Sequence, residues 1–536
     1  MPTDKISYQK SGYFTQLMVD YLDEKSELKQ LYHRFPKLEN FNPETSGQLE
    51  EKAKNFNTKD NHNRQILVSE LEKQYSNIAI SDLTKGNIQS LINPNTFTIT
   101  TGHQLNLFTG PLYFLYKIVS TINLCKQLKS EYPTYNFVPI YWMATEDHDF
   151  EEINYFDFKN KKILWKAESF GPVGRLSTVG MEDVLELFAN ELGSGMYANY
   201  LKSLFQKSYL ENNNLADATR YLANELFREE GLVILDADNQ ELKKLFIPYA
   251  KEELLHQTSY QKVTETNKLL TAYNVQVNPR EINLFYIEDT LRERILFEDG
   301  KYKINNTKIA FSEAEILELL EKSPEKFSPN VILRPLYQEV ILPNLCYIGG
   351  GGEISYWLQL KSNFESNNIT FPILLLRNSV LLATQKQNDK ADKLNLSWSD
   401  LFSNQQELFI RKTKEYSSFT IDFTEQKAHL KKQFEALHEI AEQTDKSFLG
   451  AVKAQEIKQI KGLENLEKRL LKAEKKAHTD KLERIILLQN ELFPKNGLQE
   501  RKVNFSEFYL EYGSELIQKI QKDLEPLEQN FTIISL

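Results

Sequence analysis

The chain has 536 residues, of which 41% are hydrophobic, 12% aromatic and 26% charged. This composition is that of a globular protein and excludes disordered and fibrous classes, and the length predicts two to four structural units. The net charge of −10 argues against a broad nucleic-acid-binding surface, so we expect a small-molecule partner.

The two cysteines, Cys125 and Cys346, lie outside any CxxC or Cys/His ligand spacing. We therefore expect neither a disulfide framework nor a zinc or iron site. The N-terminus lacks an apolar signal segment, and the apolar run 371–376 ends at Arg377, far short of a membrane span. These features predict a cytoplasmic protein without a membrane segment.

The first ninety residues have apolar side chains at helical spacing, from Tyr13 to Tyr32 and from Ile66 to Tyr75, which predicts a helical layer. The period then changes. The β-branched run from Thr96 to Thr101 predicts a short buried strand.

A helix is predicted next, with Pro111 at its first position, Thr109 or Gly110 as its cap, and an end near Leu128. A second strand follows over 137–144, where Pro139 indicates an edge position or an irregular start. Strand, helix and strand form a βαβ unit with parallel strands.

Two polar loops follow the strands of this unit, 102–110 (GHQLNLFTG) and 145–154 (TEDHDFEEIN). In an open parallel sheet, ligands bind outside the carboxyl ends of the strands. We therefore expect both loops to line the active site.

Further strands are predicted at 231–236 and at 344–348, the second ending in four glycines before a helix from about Glu353. Residues 283–311 resemble antiparallel strands with a turn at Asp299–Gly300, followed by a capping box from Ser312 to Glu315. A last core strand, 371–376, ends in Arg377 and Asn378.

From about residue 420 the chain predicts long charged helices, the second over about 456–492. Apolar residues have the a/d spacing of a coiled coil: Leu430, Phe434, Leu437 and Ala441, then Leu463, Leu466, Leu470, Ala473 and Ala477. An antiparallel hairpin, a dimer seam, or both would bury them.

The first loop combines a strand end, His103 and a predicted helix N-terminus. Free backbone N–H groups there favour a phosphate or carboxylate, to which His103 could add a charge or a hydrogen bond. The alternative is a structural turn with a surface histidine.

The second loop contains Glu146, Asp147, His148 and Asp149, followed by two more glutamates. Such a cluster can hold a divalent cation, bind an ammonium group, or orient a neutral His148 as a general base. A solvated acidic helix start is the alternative, and the location beside the first loop favours function.

The glycine run Gly349, Gly350, Gly351 and Gly352 would let backbone approach a phosphate closely, although it matches neither the Walker motif nor GxGxxG. Arg334, Lys361 and Arg377 are candidate anion clamps or salt-bridge partners.

Four stretches are recognisable: TGHQLNLFTGPLYFLYK, PIYWMATEDHDFEEIN, SPNVILRPLYQEVILPNLCYIGGGGEISYWLQL and LLLRNSVLL. Together they resemble the bacillithiol biosynthesis cysteine-adding enzyme family, BshC, from end to end of the chain. The resemblance implies an α/β fold with a Rossmann-like parallel-sheet core carrying connecting-peptide insertions, a C-terminal coiled coil used in dimerisation, and addition of L-cysteine to the amine of glucosaminyl-malate.

On this basis we predict an N-terminal helical layer of the core (1–90), the core itself (91–385) with its insertion near 283–311, a helical coiled-coil domain (386–510), and a C-terminal helix and tail that pack on the core (511–536). ATP with Mg²⁺ is the expected activator, and a homodimer is expected. We expect no nucleic-acid or membrane partner.

The hypothesis for the site assigns catalysis to His148, Asp147 and His103, with His148 accepting the proton. Substrate binding is assigned to Gln104, Asn106, Thr109, Gly110, Glu146, Asp149, Arg377 and Asn378, and phosphate or nucleotide binding to the glycine run. The rival hypotheses are a metal-dependent hydrolase with Asp147, His148 and Asp149 as ligands, and a nucleotide-binding coiled-coil scaffold without catalysis.

Overall fold

The computed structural model describes residues 4–45, 49, 62–444 and 446–536. They form two compact units, a larger one within 7–382 and 498–534 and a smaller one that is mainly 383–497. Among these residues, helices that combine the length and the apolarity of a membrane span are absent.

The strands are numbered along the chain. They are β1 Asp4–Ser7, β2 Thr96–His103, β3 Asn136–Met143, β4 Tyr155–Phe158, β5 Lys161–Leu164, β6 Val233–Asp236, β7 Leu284–Glu288, β8 Leu291–Glu298, β9 Lys301–Ile304, β10 Ala310–Phe311, β11 Phe327–Pro329, β12 Asn344–Gly349, β13 Ile373–Leu376, β14 Ser379–Ala383 and β15 Asn530–Ser535.

Helices surround the strands of the larger unit. They are Tyr8–Ser11, Gln16–Leu22, His62–Gln74, Asp82–Ser90, Tyr113–Glu131, Phe150–Ile153, Met181–Leu192, Met196–Tyr209, Leu215–Phe227, Gln240–Lys244, Ile247–His256, Thr258–Asn267, Glu313–Lys322, Arg334–Ile341, Gly351–Trp357, Lys361–Ser366, Phe505–Tyr512 and Glu515–Asp523. Helical spacing before residue 90 thus predicted the helices Gln16–Leu22 and His62–Gln74.

The core of the larger unit is a five-stranded sheet with the order β13-β12-β2-β3-β6, in which all neighbours are parallel. Every residue of β2 is buried, as expected for a central strand covered on both faces. The chain runs outward from β2 through β3 to β6, and then returns to β12 on the other side of β2. This Rossmann-like order places the topological switch point, where such folds bind ligands, between β2 and β12.

The second strand of the βαβ unit is an interior strand, so the predicted edge position of Pro139 is wrong. Pro139 pairs with Ile99 of β2, whereas the pairing of β3 with β6 begins one residue later, at Ile140 and Val233. Proline lacks a backbone N–H, and it is accommodated here just before the ladder with β6 begins.

The antiparallel insertion is confirmed as a sheet with the order β10-β9-β8-β7-β11. Asp299 and Gly300, at the turn between β8 and β9, both have positive φ, 54° and 72°, as a type I′ hairpin turn requires. The capping box from Ser312 to Glu315 is also confirmed at the start of the next helix.

The predicted start of the helix after β2 is wrong, whereas the start predicted near Glu353 is confirmed to within two residues. The helix of the βαβ unit begins at Tyr113 with Leu112 as its N-cap, because Thr109 and Gly110 have left-handed backbone and Pro111 forms a β-bridge with Asn504. The helix expected from Glu353 begins at Gly351 and ends at Trp357.

The smaller unit is helical, and its helices are Gln385–Lys393, Trp398–Phe402, Gln405–Tyr416, Thr424–Ala441, Lys446–Ala477 and Thr479–Leu492. The single helix predicted over 456–492 is wrong, because His478 has non-helical backbone and separates the last two. Helices Thr424–Ala441 and Lys446–Ala477 form an antiparallel hairpin. Lys427 pairs with Glu467 near one end and His438 with Glu456 near the other.

Candidate active site

The two predicted loops start side by side at the carboxyl edge of the central sheet. His103 pairs with Met143 in the register of β2 and β3, and the Ala144 N–H donates to the His103 carbonyl at 3.0 Å. The expectation that both loops lie at one sheet edge is therefore confirmed.

The first loop, 102–110, is buried and held by distant residues. Phe108 and Thr109 have φ of 47° and 68°, a conformation that costs free energy unless the surroundings impose it. The Phe108 N–H donates to Tyr209 Oη at 2.7 Å, and Asn504 Nδ2 donates to the carbonyls of Phe108 and Gly110 at 2.8 and 2.6 Å. These bonds fix the strained backbone beside the end of β2.

His103 is buried among aromatic rings, which excludes the surface-histidine alternative. Its ring lies edge-on to Tyr113 and packs on Phe114, at centroid distances of 5.3 and 5.1 Å. Burial and the neighbouring Lys117 and Arg377 charges hold the pKa of His103 well below its usual value, although the Thr109 backbone opposes this effect. Nε2 is buried and has no hydrogen-bond partner among the described residues. The ring is thus neutral, with one nitrogen unused.

Two other polar atoms of this loop, Asn106 Oδ1 and Thr109 Oγ1, are likewise buried without a partner in the described part of the chain. Two backbone N–H groups near the helix start, which an anion site would need free, are already bonded. The Gly110 N–H donates to the Leu107 carbonyl, and the Leu112 N–H, at the helix start, donates to the Val503 carbonyl. The unsatisfied groups of the loop are side chains instead.

The acidic loop is anchored by a buried lysine on another helix. Lys243 Nζ lies 2.5 Å from Glu146 Oε1 and 3.0 Å from Asp238 Oδ1, and all three side chains are largely buried. Burial raises the pKa of Glu146, and Lys243 opposes that change. For Lys243, the two carboxylates outweigh burial and raise the pKa. Glu146 is therefore committed to an internal ion pair.

The two loops are also joined directly by Gln104. Its Nε2 donates to Asp147 Oδ2 at 2.9 Å and to Glu152 Oε2 at 3.1 Å, and Asn106 Nδ2 donates to the Glu152 carbonyl at 3.3 Å. Asp149 is more exposed, and partial burial together with Asp147 raises its pKa. Gln104 and Asn106 of the first loop thus contact Asp147 and Glu152 of the second, and their role in a site stays a prediction.

His148 contacts an arginine that the sequence did not indicate. Arg292 of β8 places a guanidinium nitrogen 2.7 Å from His148 Nδ1, stacks on Phe285 at 4.0 Å and donates to Ser328 Oγ at 3.3 Å. A guanidinium only donates hydrogen bonds, so Nδ1 is the acceptor and the proton of a neutral ring is on Nε2. The antiparallel insertion therefore sets the tautomer of His148.

On the other side of β2, the buried Lys117 forms an ion pair with the partly buried Glu353. Lys117 Nζ lies 2.5 Å from Glu353 Oε2 and donates to the Gly102 carbonyl at 2.6 Å. The Glu353 carboxylate also accepts bonds from Tyr347 Oη and from the Gly350 N–H, at 2.7 and 2.8 Å. Burial alone would raise the pKa of Glu353, but Lys117 and these bonds lower it.

The glycine run is packed against protein atoms. A Cβ on Gly349 would lie 3.0 Å from both Glu353 Cβ and Tyr347 Cε1, and one on Gly351 would lie 3.4 Å from Met18 Cγ. The Gly350 N–H is already bound by Glu353. This close packing accounts for glycine at 349 without a bound phosphate, and Gly352 follows within the first turn of the helix.

Arg377 and Asn378 are engaged inside the larger unit. The Arg377 guanidinium forms two bonds to Glu500, at 2.8 and 3.1 Å, and both side chains are buried. Asn378 accepts from Ser120 Oγ and donates to the Glu525 carbonyl. Both side chains bond to groups within the unit, in a manner that stabilises the fold.

Sequence reasoning missed Lys117, Lys243, Arg292 and Glu353. Only Lys117 left a signal, since it interrupts the apolar face of the helix predicted after the first loop. Lys243, Arg292 and Glu353 belong to other segments of the chain, and nothing in the sequence pattern there indicates a contact with the site.

Comparison with known proteins covers the whole chain. Residues 1–378 match the family described as "Bacillithiol biosynthesis BshC, N-terminal Rossmann-like domain", and residues 380–536 match "Bacillithiol biosynthesis BshC, C-terminal coiled-coil domain". A protein of Flavobacterium johnsoniae is 67% identical over 100% of both chains. One of Flavobacterium psychrophilum is 66% identical over 100% of this chain and 99% of its own, and one of Cytophaga hutchinsonii is 36% identical over 98% of each.

All three relatives are named "Putative cysteine ligase BshC". The two family matches follow one another along the chain, and the Rossmann-like match covers the strand order seen here. This chain belongs to the bacillithiol biosynthesis BshC family.

Proposed function

We propose that this protein is a cysteine ligase of bacillithiol biosynthesis, which joins the carboxyl group of L-cysteine to the amine of glucosaminyl-malate. The observation that supports this proposal most strongly is the end-to-end match to relatives that carry the cysteine ligase name. The first loop has the unsatisfied side-chain atoms that such a reaction would use.

The reaction forms a C–N bond between the sugar amine and the cysteine carbonyl carbon, and breaks a C–O bond to a leaving group. One proton must leave the attacking nitrogen. We assign its acceptor as Nε2 of His103, because this ring is held neutral and Nε2 is unpartnered among the described residues. His148 fits that role less well, because Nδ1 accepts from Arg292 and Nε2 carries the proton.

The exposed part of the acidic loop would bind the amine-bearing sugar. Asp149 Oδ1 lies 4.0 Å from Nε2 of His148, and Asp147 Oδ1 lies 3.8 Å from Nδ1 of the same ring. Their charge would attract an ammonium group, and the imidazole N–H would donate to a sugar hydroxyl. Glu146 is left out of this assignment, because Lys243 already neutralises it.

ATP with Mg²⁺ is proposed as the activator, because it converts a carboxylate oxygen into a leaving group. The glycine run does not fit a phosphate cradle, since Glu353 binds the Gly350 N–H. Within the described residues, there is no group of three or more His, Cys, Asp and Glu side chains able to hold a metal. Mg²⁺ is ordinarily held by one or two carboxylates together with the phosphates of the nucleotide. Asp147 and Glu152 could supply these carboxylates. The metal-dependent hydrolase alternative would need three protein ligands, Asp147, His148 and Asp149, around one metal ion.

A homodimer in the cytoplasm remains part of the proposal. Leu437, Ile440, Ile457 and Leu466 are exposed on the helical hairpin of the smaller unit, and a second copy could cover them. Light scattering of the purified chain would give twice the monomer mass, and a monomer at micromolar concentration would contradict this part.

The ligase proposal is tested with purified protein, L-cysteine, glucosaminyl-malate, ATP and Mg²⁺. Mass spectrometry should detect the cysteinyl product, and omitting ATP should abolish it. In cells, deletion of the gene should cause glucosaminyl-malate to accumulate without the cysteinyl thiol. An unchanged thiol pool in the deletion strain would overturn the ligase, and product formed without ATP would overturn only the choice of activator.

A further inference from the structure

Arg334 lies at the topological switch point. Its guanidinium carbon is 5.8 Å from the ring centre of Trp142, near the end of β3, and 5.7 Å from that of Tyr347 on β12. Trp142 pairs with Gly102 at the end of β2. The arginine therefore lies near the carboxyl ends of the three strands around which the sheet order reverses.

The hydrogen-bond partners of Arg334 are neutral. One terminal nitrogen donates to Gln338 Oε1 at 3.0 Å and the other to Tyr356 Oη at 3.2 Å. In the part of the chain that the structure describes, carboxylates are absent within 4 Å of its guanidinium. The nearby acid Glu353 is engaged by Lys117, the Gly350 N–H and Tyr347 Oη.

Three other arginines of the larger unit, each partly or fully buried, have acidic partners. Arg377 pairs with Glu500, Arg175 with Asp238 and Arg220 with Asp217, each at 2.7–2.8 Å. A desolvated cation without a counter-ion is costly, and proteins ordinarily compensate it. Arg334 has Gln338 and Tyr356 as bonded partners and shares the charge of Glu353 with Lys117, which points to an anion that arrives from outside the protein.

We propose that Arg334 binds the oxyanion of a substrate, a carboxylate or a phosphate, between β2 and β12. A guanidinium has five N–H donors in a planar fork, and the two hydrogen bonds described above leave donors for two oxygens of one anion. The aromatic rings of Trp142 and Tyr347 lie within 6 Å of the guanidinium carbon and hold the fork in place.

This inference rests on the proposed ligase, which has two sources of such an anion besides the cysteine carboxylate, the group that itself reacts. One is a carboxylate of the malyl group of glucosaminyl-malate, and the other is a phosphate of ATP. Both present paired oxygens that match the guanidinium.

The test compares full-length wild type with Arg334→Gln and Arg334→Lys by steady-state kinetics. The Gln variant should raise the KM of one anionic substrate about 10- to 100-fold, the usual effect of losing hydrogen bonds to a charged group. The Lys variant should recover part of the loss, because it keeps the charge without the fork. Arg228→Gln, at a surface arginine paired with Glu225, is the matched control and should leave every KM unchanged.

Two further kinetic measurements identify which substrate supplies the anion. If it is the malyl carboxylate, the defect should disappear when methyl glucosaminide, which lacks malate, replaces glucosaminyl-malate. If it is a phosphate, the KM of ATP should rise with either sugar. Unchanged KM values for all substrates in a variant of wild-type thermal stability would overturn the proposal.

Direct binding separates this inference from the ligase itself. Calorimetric titration with L-malate and with inorganic tripolyphosphate should show that one of them binds wild type at least ten times more tightly than the Gln or Lys variant. Equal affinities would overturn the role of Arg334 even if the enzyme ligates cysteine. Tighter binding to wild type would sustain it even if the cysteinyl product is never found.

Discussion

The two loops at the carboxyl edge of the sheet differ in how they are held. The first loop is buried, has strained backbone at Phe108 and Thr109, and leaves three polar side-chain atoms unsatisfied among the described residues. The acidic loop is partly exposed, its Glu146 is paired with Lys243, and its His148 is bonded by Arg292. Unsatisfied buried groups are costly and tend to occur where a substrate supplies the partner, so the first loop is better suited to chemistry and the second to recognition.

The sharpest test of this contrast is His103→Gln. We expect kcat to fall about 100- to 10,000-fold with little change in KM, because a general base contributes that much to proton transfer. His148→Gln should cost less than about tenfold, the effect of one neutral hydrogen bond. Mass-spectrometric rates of cysteinyl product formation measure both, and a larger loss in the His148 variant would reverse the assignment.

The anchoring of the acidic loop is broken by Lys243→Met. The variant leaves Glu146 buried without its cation and removes one partner of Asp238, so the free energy of unfolding should fall by about 3–5 kcal/mol. Lys244→Met, at an exposed lysine next in the chain, should change it by less than about 1 kcal/mol. Urea unfolding followed by tryptophan fluorescence compares them, and equal effects would show that the buried pair does not anchor the loop.

The anchoring of the first loop is tested by Asn504→Ala. This change removes both bonds to the carbonyls of Phe108 and Gly110, and it should cost about 1–3 kcal/mol of unfolding free energy along with part of the activity. Asn504 also caps a helix, so Asn214→Ala, which removes a comparable cap, is the control. An Asn504 variant with full activity would show that the loop keeps its shape without these bonds.

The low pKa of His103 has a consequence for stability against pH. In the unfolded chain the His103 imidazole binds a proton near pH 6.5, whereas in the folded chain its lowered pKa opposes protonation. The free energy of unfolding therefore keeps the full His103 contribution above about pH 6.5 and decreases as the pH falls below that value. The loss should approach 1.4 kcal/mol per pH unit, which is about the limit for one group. Between pH 6.5 and 5, unfolding free energies of His103→Gln should fall less steeply than those of wild type, and parallel profiles would contradict the assignment.

The smallest effect is expected at Arg292, which acts on His148. Arg292→Met should shift the ¹⁵N resonances of the His148 ring, since Nδ1 loses its donor, and should reduce kcat by less than about tenfold. Arg294→Met, two residues along the same strand, should leave those resonances in place. An unchanged ring spectrum in the Arg292 variant would show that the insertion does not set the tautomer.

Much of the fold was predictable because its signals are local. The β-branched run of β2, the Asp299–Gly300 turn and the capping box at Ser312 each depend on neighbouring residues, and all three are present. The errors arose where distant residues act. Pro111 bridges to Asn504 instead of starting a helix, and His478 interrupts what the heptad spacing indicated was one helix.

For the site, the sequence by itself determined which polar residues follow the strands, because strand and loop patterns are short-range. Only the tertiary structure decided which of them are already neutralised. Arg292 reaches His148 across 144 residues of chain, Glu500 reaches Arg377 across 123, and Asn504 reaches Phe108 across 396. A charge in a sequence does not reveal its partner, since ion pairs and hydrogen bonds depend on distances of a few ångströms in the folded chain. That is why Arg377 looked like an anion clamp, and why Arg334, with neutral partners alone, is the better candidate.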